Sequence, residues 1–118
     1  EKSNVTDTAE LGLCLNESFA NIELFGAECA LSVPVRVRIR TEDAIRAYDF
    51  FEEIIEATMD DLRSVWLKAR TVEEKVVFCI EVETSADLSG NTKVYGGGKT
   101  EENVWRFTFA VRKEGAKA

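Results

Sequence analysis

The sequence predicts an α+β fold, a two-layer sandwich in which helices cover one face of a mixed, mostly antiparallel sheet. Two observations carry this prediction. One strongly helical run, residues 41–62, is flanked on both sides by segments of alternating hydrophobicity. The alternating segments after it are separated by short polar turns, which pairs them as hairpins and segregates helix from strand. At 118 residues with 45% hydrophobic and 31% charged content, residues 1–118 form one domain with one core.

The first helix is expected over residues 8–25. Asp7 followed by Glu10 is an N-cap and capping-box pattern. Leu11, Leu15, Ser18, Ile22 and Phe25 mark one face, with Cys14 and Phe19 beside it, and Gly26 stops the helix. Residues 1–6 read as a disordered lead-in.

Residues 27–40 alternate, with Cys29, Leu31, Val33, Val35, Val37 and Ile39 on the inward parity. Pro34, the sole proline, cannot donate to a ladder, so this strand is an edge or is broken in two. Arg36, Arg38 and Arg40 form a basic stripe. It is either an exposed face paired with local carboxylates or a grip for a phosphate or an acidic partner.

In the central helix, Thr41 is expected as N-cap, and Glu42 and Asp43 suit the positive end of the dipole. Ile45, Tyr48, Phe51, Ile55, Met59 and Leu62 recur at helical spacing, and Ala44, Ala47, Ile54 and Thr58 widen the stripe. Asp49, Glu52, Glu53, Glu56 and Asp60 form an acidic outer face.

Next come a strand over residues 64–70 with Trp66 facing outward, a turn at 71–74, and a strand over 75–83. Residues 84–100 read as loop, with a short strand at 92–95 and a flexible glycine turn at 96–98. Lys99-Thr100 follows those glycines without the spacing of a phosphate-binding loop. The last strand, 104–112, places Trp105, Phe107, Phe109 and Val111 on one face, and residues 113–118 are expected to be disordered.

A net charge of −7 argues against nucleic acid and anionic membrane surfaces as partners. No apolar run reaches the ~18 residues of a membrane span, and no signal peptide is visible. The three cysteines lack CxxC spacing and read as buried free thiols of a reducing compartment. With no histidine, the chain holds no Ser-His-Asp triad, no Cys-His dyad and no His-ligated zinc. The abrupt opening at Glu1 suggests a piece of something longer.

The element order, with the run Phe51-Glu52-Glu53-Ile54-Ile55-Glu56-Ala57-Thr58, resembles the Bergerat-type ATP-binding domain of sensor histidine kinases, gyrases and related ATPases. The first helix, the Gly-x-x-Cys-x-Leu step at 26–31, the segment Tyr48-Asp49-Phe50-Phe51-Glu52 and the strand ending Ala86-Asp87-Leu88-Ser89 resemble membrane-bound sensor kinases of Gram-positive anaerobes. The resemblance implies a central helix whose glutamate precedes a Mg²⁺-holding asparagine by four residues. It also implies an Asp-x-Gly-x-Gly box, after the second hairpin strand, that reads adenine. Glu53 falls at the glutamate and is the one catalytic candidate; Ala57 falls at the asparagine. Glu83 or Asp87 would supply the adenine-reading carboxylate, but of the glycines only Gly90 remains, and the lid shrinks to residues 91–103.

These departures imply a sensor-kinase ATP-binding-like domain with a vestigial pocket at Glu53, Glu83 and Asp87. Such a domain acts through protein partners, namely the rest of a sensor kinase, a response regulator or a second copy, on the cytoplasmic side of a membrane. Two alternatives stand beside it. One is a working kinase domain using ATP and Mg²⁺, with Arg36, Arg38 or Lys99 on the phosphates. The other is a small α+β dimerisation or binding module unrelated to nucleotides.

Overall fold

The computed structural model describes residues 4–33, 36–90 and 96–114. The elements are β1 (Val5–Asp7), α1 (Thr8–Glu23), β2 (Glu28–Ser32), β3 (Arg38–Arg40), α2 (Thr41–Thr58), β4 (Leu62–Val72), β5 (Lys75–Thr84), β6 (Gly96–Glu101) and β7 (Val104–Arg112). Five strands form one sheet in the order β2-β4-β5-β7-β6, and β1 pairs with β3 in a second, two-stranded sheet. β2 runs parallel to β4 and every other pairing is antiparallel. This is the α+β sandwich that the sequence predicts.

The inward parity of the strands builds the core, with Cys29, Leu31 and Phe109 half-buried at its margin. Val65, Leu67 and Ala69 of β4, Val76, Phe78, Ile80 and Val82 of β5, and Trp105, Phe107 and Val111 of β7 face the helices. Asp7 caps α1, its Oδ1 accepting from the Glu10 backbone N–H at 2.9 Å. Leu11, Leu15, Phe19 and Ile22 of α1 are buried. Phe25 is 76% exposed, because α1 ends at Glu23 and Gly26, at φ 97, turns the chain away.

The central helix is rotated from the expected stripe. Ala44, Ala47, Phe50, Phe51, Ile54, Ile55 and Thr58 are its buried residues, while Ile45 and Met59 are 57% and 42% exposed. Phe50 stacks on Phe109 of β7 at 5.4 Å, and Phe51 packs on Phe19 of α1 at 5.3 Å. With two adjacent phenylalanines both taking core, the face centres between sheet and α1 rather than on Ile45 and Met59. Leu62 belongs to β4, not to the helix. Thr41 is not the cap. Arg40, extended at φ −70 and ψ 142, holds that position with no side-chain hydrogen bond, and the Thr41 N–H is satisfied by Asn4 O at 2.8 Å. Thr58 closes the helix by donating its hydroxyl to Ile54 O and Ile55 O.

The strand around Pro34 is broken in two. β2 is one edge of the large sheet, and β3 joins the small one. Pro34 itself lies outside the described residues, as does the strand expected at 92–95.

Four further expectations are corrected. Val5 and Thr6 are strand, not frayed lead-in, because they pair with Arg40 and Ile39. Lys113 bridges Ile39 and the Glu114 N–H donates to Arg38 O, so order extends past β7. The glycines at 96–98 belong to β6, paired along β7; the hairpin turn lies instead at Glu102 and Asn103, with Asn103 at φ 66. The hairpin between β4 and β5 is likewise tighter than expected, turning on Glu73 and Glu74.

Candidate functional site

Glu53 and Ala57 stand one turn apart on the outer face of α2, and both side chains are exposed. Ala57 presents a methyl group. β5 ends at Thr84, where the next segment, residues 84–90, crosses the same end of the fold. The parity of β5 decides what this end presents. Val76, Phe78, Ile80, Val82 and Thr84 face the helices and are buried, so Glu83 projects from the opposite, open face of the sheet. There its Oε1 accepts from Ser64 Oγ at 3.3 Å. Glu83 and Glu53 are therefore on opposite sides of the sheet and do not share a pocket, contrary to the expected trio.

The inward residue at the strand end is Thr84, which is fully buried and whose Oγ1 accepts from the Ala86 N–H at 3.1 Å. Strand parity alone would have pointed to Thr84 and against Glu83.

Asp87 is exposed and caps its own loop, its Oδ1 accepting from the Ser89 N–H at 3.0 Å. That hydrogen bond holds its carboxyl below the usual range. Leu88 beside it is buried and anchors the loop to the core. A second carboxylate ties the loop to the end of α2. Asp61 Oδ2 accepts from the Ser85 N–H at 2.7 Å and from the Ser85 hydroxyl. These hydrogen bonds, with a smaller effect of Arg63, depress the Asp61 pKa below 3.8. A depressed carboxylate adds stability that is present above its unfolded pKa and is lost as pH falls through the lower folded value. The difference in thermal midpoint between the native chain and Asp61→Asn is thus expected to be constant above about pH 5 and to shrink below pH 4. A difference that stayed constant down to pH 3 would show that Asp61 is not so engaged.

The three candidate phosphate contacts are engaged elsewhere. Arg36 lies 3.9 Å from Asp7, Arg38 lies 4.0 Å from Glu114, and Lys99 sits over the Trp105 ring at 5.9 Å. Arg40 pairs with Glu42 at 2.9 Å, so the basic stripe is a face paired with local carboxylates.

Two larger concavities lie away from Glu53 and Asp87. One, of about 580 Å³, is on the open sheet face around Trp66, Lys68, Arg70, Cys79 and Arg106. The other, of about 470 Å³, is the groove between α1 and α2 lined by Leu11, Cys14, Ala44, Ile45 and Tyr48.

The fold is that of histidine kinase catalytic domains. The catalytic domain of histidine kinase ThkA, in a nucleotide-free form, superposes with a TM-score of 0.68 at 11% identity, covering 96% of this chain and 98% of that one. Histidine kinase AdeS of Acinetobacter baumannii gives 0.62 at 11% identity over 97% of this chain and 70% of that one. Full-length ShkA, in complex with AMPPNP, gives 0.63 at 16% identity; this chain is covered in full and spans 33% of ShkA. No protein-family model and no curated protein sequence matches the chain.

The Mg²⁺-nucleotide that the resemblance implies would have to meet the side chains as they stand here. Ala57 offers no oxygen to a metal, and Glu83 faces away from α2. Among the described residues, no three Cys, Asp or Glu side chains converge as metal ligands.

Proposed function

We propose that this chain is the ATP-binding-like domain of a signal-transducing sensor histidine kinase, kept as an interaction scaffold after its nucleotide site degenerated. The observation that carries the reading is the split of the candidate carboxylates. Glu53 lies on the helix layer, Glu83 lies on the far face of the sheet, and Asp87 is committed to its own loop. Among the described residues the scaffold, by contrast, keeps the α2 core face and both hairpins.

A domain of this kind acts through surfaces rather than through chemistry, so its partners are proteins such as the remainder of a kinase or a response regulator. A second structure of ThkA, alike at a TM-score of 0.55, holds that kinase with response regulator TrrA, which supports a partner of this type. No helix among the described residues is long and apolar enough to cross a membrane. In this reading the domain works on the cytoplasmic side.

The test is the thermal midpoint with and without millimolar Mg-ATP. A ligand at about 100 times its dissociation constant stabilises a fold by about 2.7 kcal/mol. The expected result is an unchanged midpoint; a rise of several degrees would overturn the degenerate reading and restore the working kinase domain.

A further inference from the structure

The open face of the large sheet is polarised along its strands. At one end the registers align Glu28 of β2, Ser64 of β4, Glu83 of β5, Val104 of β7 and Glu101 of β6 in one row. The next row holds Ala30, Trp66, Glu81 and Arg106, and the one after it Ser32, Lys68, Cys79 and Thr108. Beyond these lie Arg70, Val77 and Ala110, and finally Val72, Lys75 and Arg112. One end of the face is therefore acidic and the other basic. Glu81 and Arg106, in the second row, pair at 3.2 Å. Trp66 is 59% exposed amid this face, and the concavity beside it measures about 580 Å³.

We infer that this face binds a second copy of the same chain, face to face, about a twofold axis that lies between the sheets and runs across the strands. Such an axis reverses strand direction while keeping strand order, so each acidic row lies over a basic one, as an isologous interface requires. With the axis over the Lys68–Cys79 row, Glu83 meets the partner's Lys75 and Trp66 meets the partner's Arg70, a cation–π contact. An axis along the strands would instead set acid on acid and base on base, which the charges forbid.

Two further observations fit this occupant. The chain carries a net charge of −7, which repels a copy on most approaches. On this face, however, five cations (Lys68, Arg70, Lys75, Arg106 and Arg112) stand against four carboxylates (Glu28, Glu81, Glu83 and Glu101), so the face itself carries none of that negative excess. The size also suits. Five strands at about 4.8 Å spacing, the longer ones running about 33 Å, present roughly 700 Å² once the short edge strands are allowed for, near the ~800 Å² per partner of a stable interface. This pairing involves neither Glu53 nor Asp87 and stands whether or not Mg-ATP binds.

Sedimentation of the full chain at tens of micromolar, with circular dichroism as a check of folding, tests it. The native chain is expected to be a dimer. Glu83→Lys and Lys75→Glu are each expected to shift it to monomer, with at least a tenfold weaker self-association, and the double variant to restore the dimer. A monomeric native chain overturns the proposal. So does a dimer indifferent to both single reversals, or one that the double variant fails to restore.

Discussion

Phe50→Ala is expected to be among the most damaging single substitutions in the chain, at about 3–5 kcal/mol. Phe50 is fully buried and stacks on Phe109 at an interplanar angle of 17°, so it joins α2 to β7 across the layer boundary. Truncation removes the transfer free energy of the ring and leaves a hole that cannot collapse. Ile54 one turn along the helix, Phe107 on the sheet beneath and Phe51 beside it are themselves fully buried and fixed. Ile45→Ala is the informative comparison. Ile45 is 57% exposed, and its truncation is expected to stay within about 0.5 kcal/mol. Urea unfolding of both variants measures this directly. Equal losses would mean that the helix face centres where the helical spacing alone suggests, on Ile45, and not on Phe50.

Gly97→Ala is expected to detach the edge strand β6 from β7. A Cβ at position 97 would fall 2.0 Å from the Arg106 carbonyl oxygen and 2.7 Å from Phe107 Cα, and the residue sits at φ 146. Neither contact is the tip of a flexible side chain. Both are backbone of β7, a strand held from its other side by β5. Relief must come from β6, which has no neighbour on its outer edge. The strain alone is of order 1–3 kcal/mol, and the lost pairing adds to it. Amide hydrogen exchange reads the result. Protection in β6 should collapse while the amides that pair β4 with β5 remain slow. Gly98→Ala is the control, because a Cβ there meets nothing within 4 Å. Unchanged protection of β6 in the Gly97 variant would contradict the close approach.

The contrast between these glycines shows where the sequence is readable. β5 and β7 were legible because a sheet with one buried face imposes a period of two, and Val76 to Val82 and Trp105 to Val111 keep it without interruption. β6 was not, since three glycines carry no pattern and the same residues that suggest a loose turn also allow strands to approach closely. β1 and β3, of three residues each, are too short to show any period, and their pairing is a long-range event. The face of α2 was blurred by Phe50 and Phe51 in succession, which widen the apolar arc. At the candidate site, the parity that fixed the core also excluded Glu83, and only its nearness in sequence to the strand end argued otherwise. The tie between Asp61 and Ser85 joins residues far apart in sequence, so it needed the fold to be seen.

β3 is gripped from both sides, by β1 and by Lys113, and Asn4 holds the first N–H of α2. Both ends of the described chain are thus fastened to one three-residue strand at the start of the central helix. A pull on either end therefore loads that clasp, and through Asn4 O it bears on the first N–H of α2.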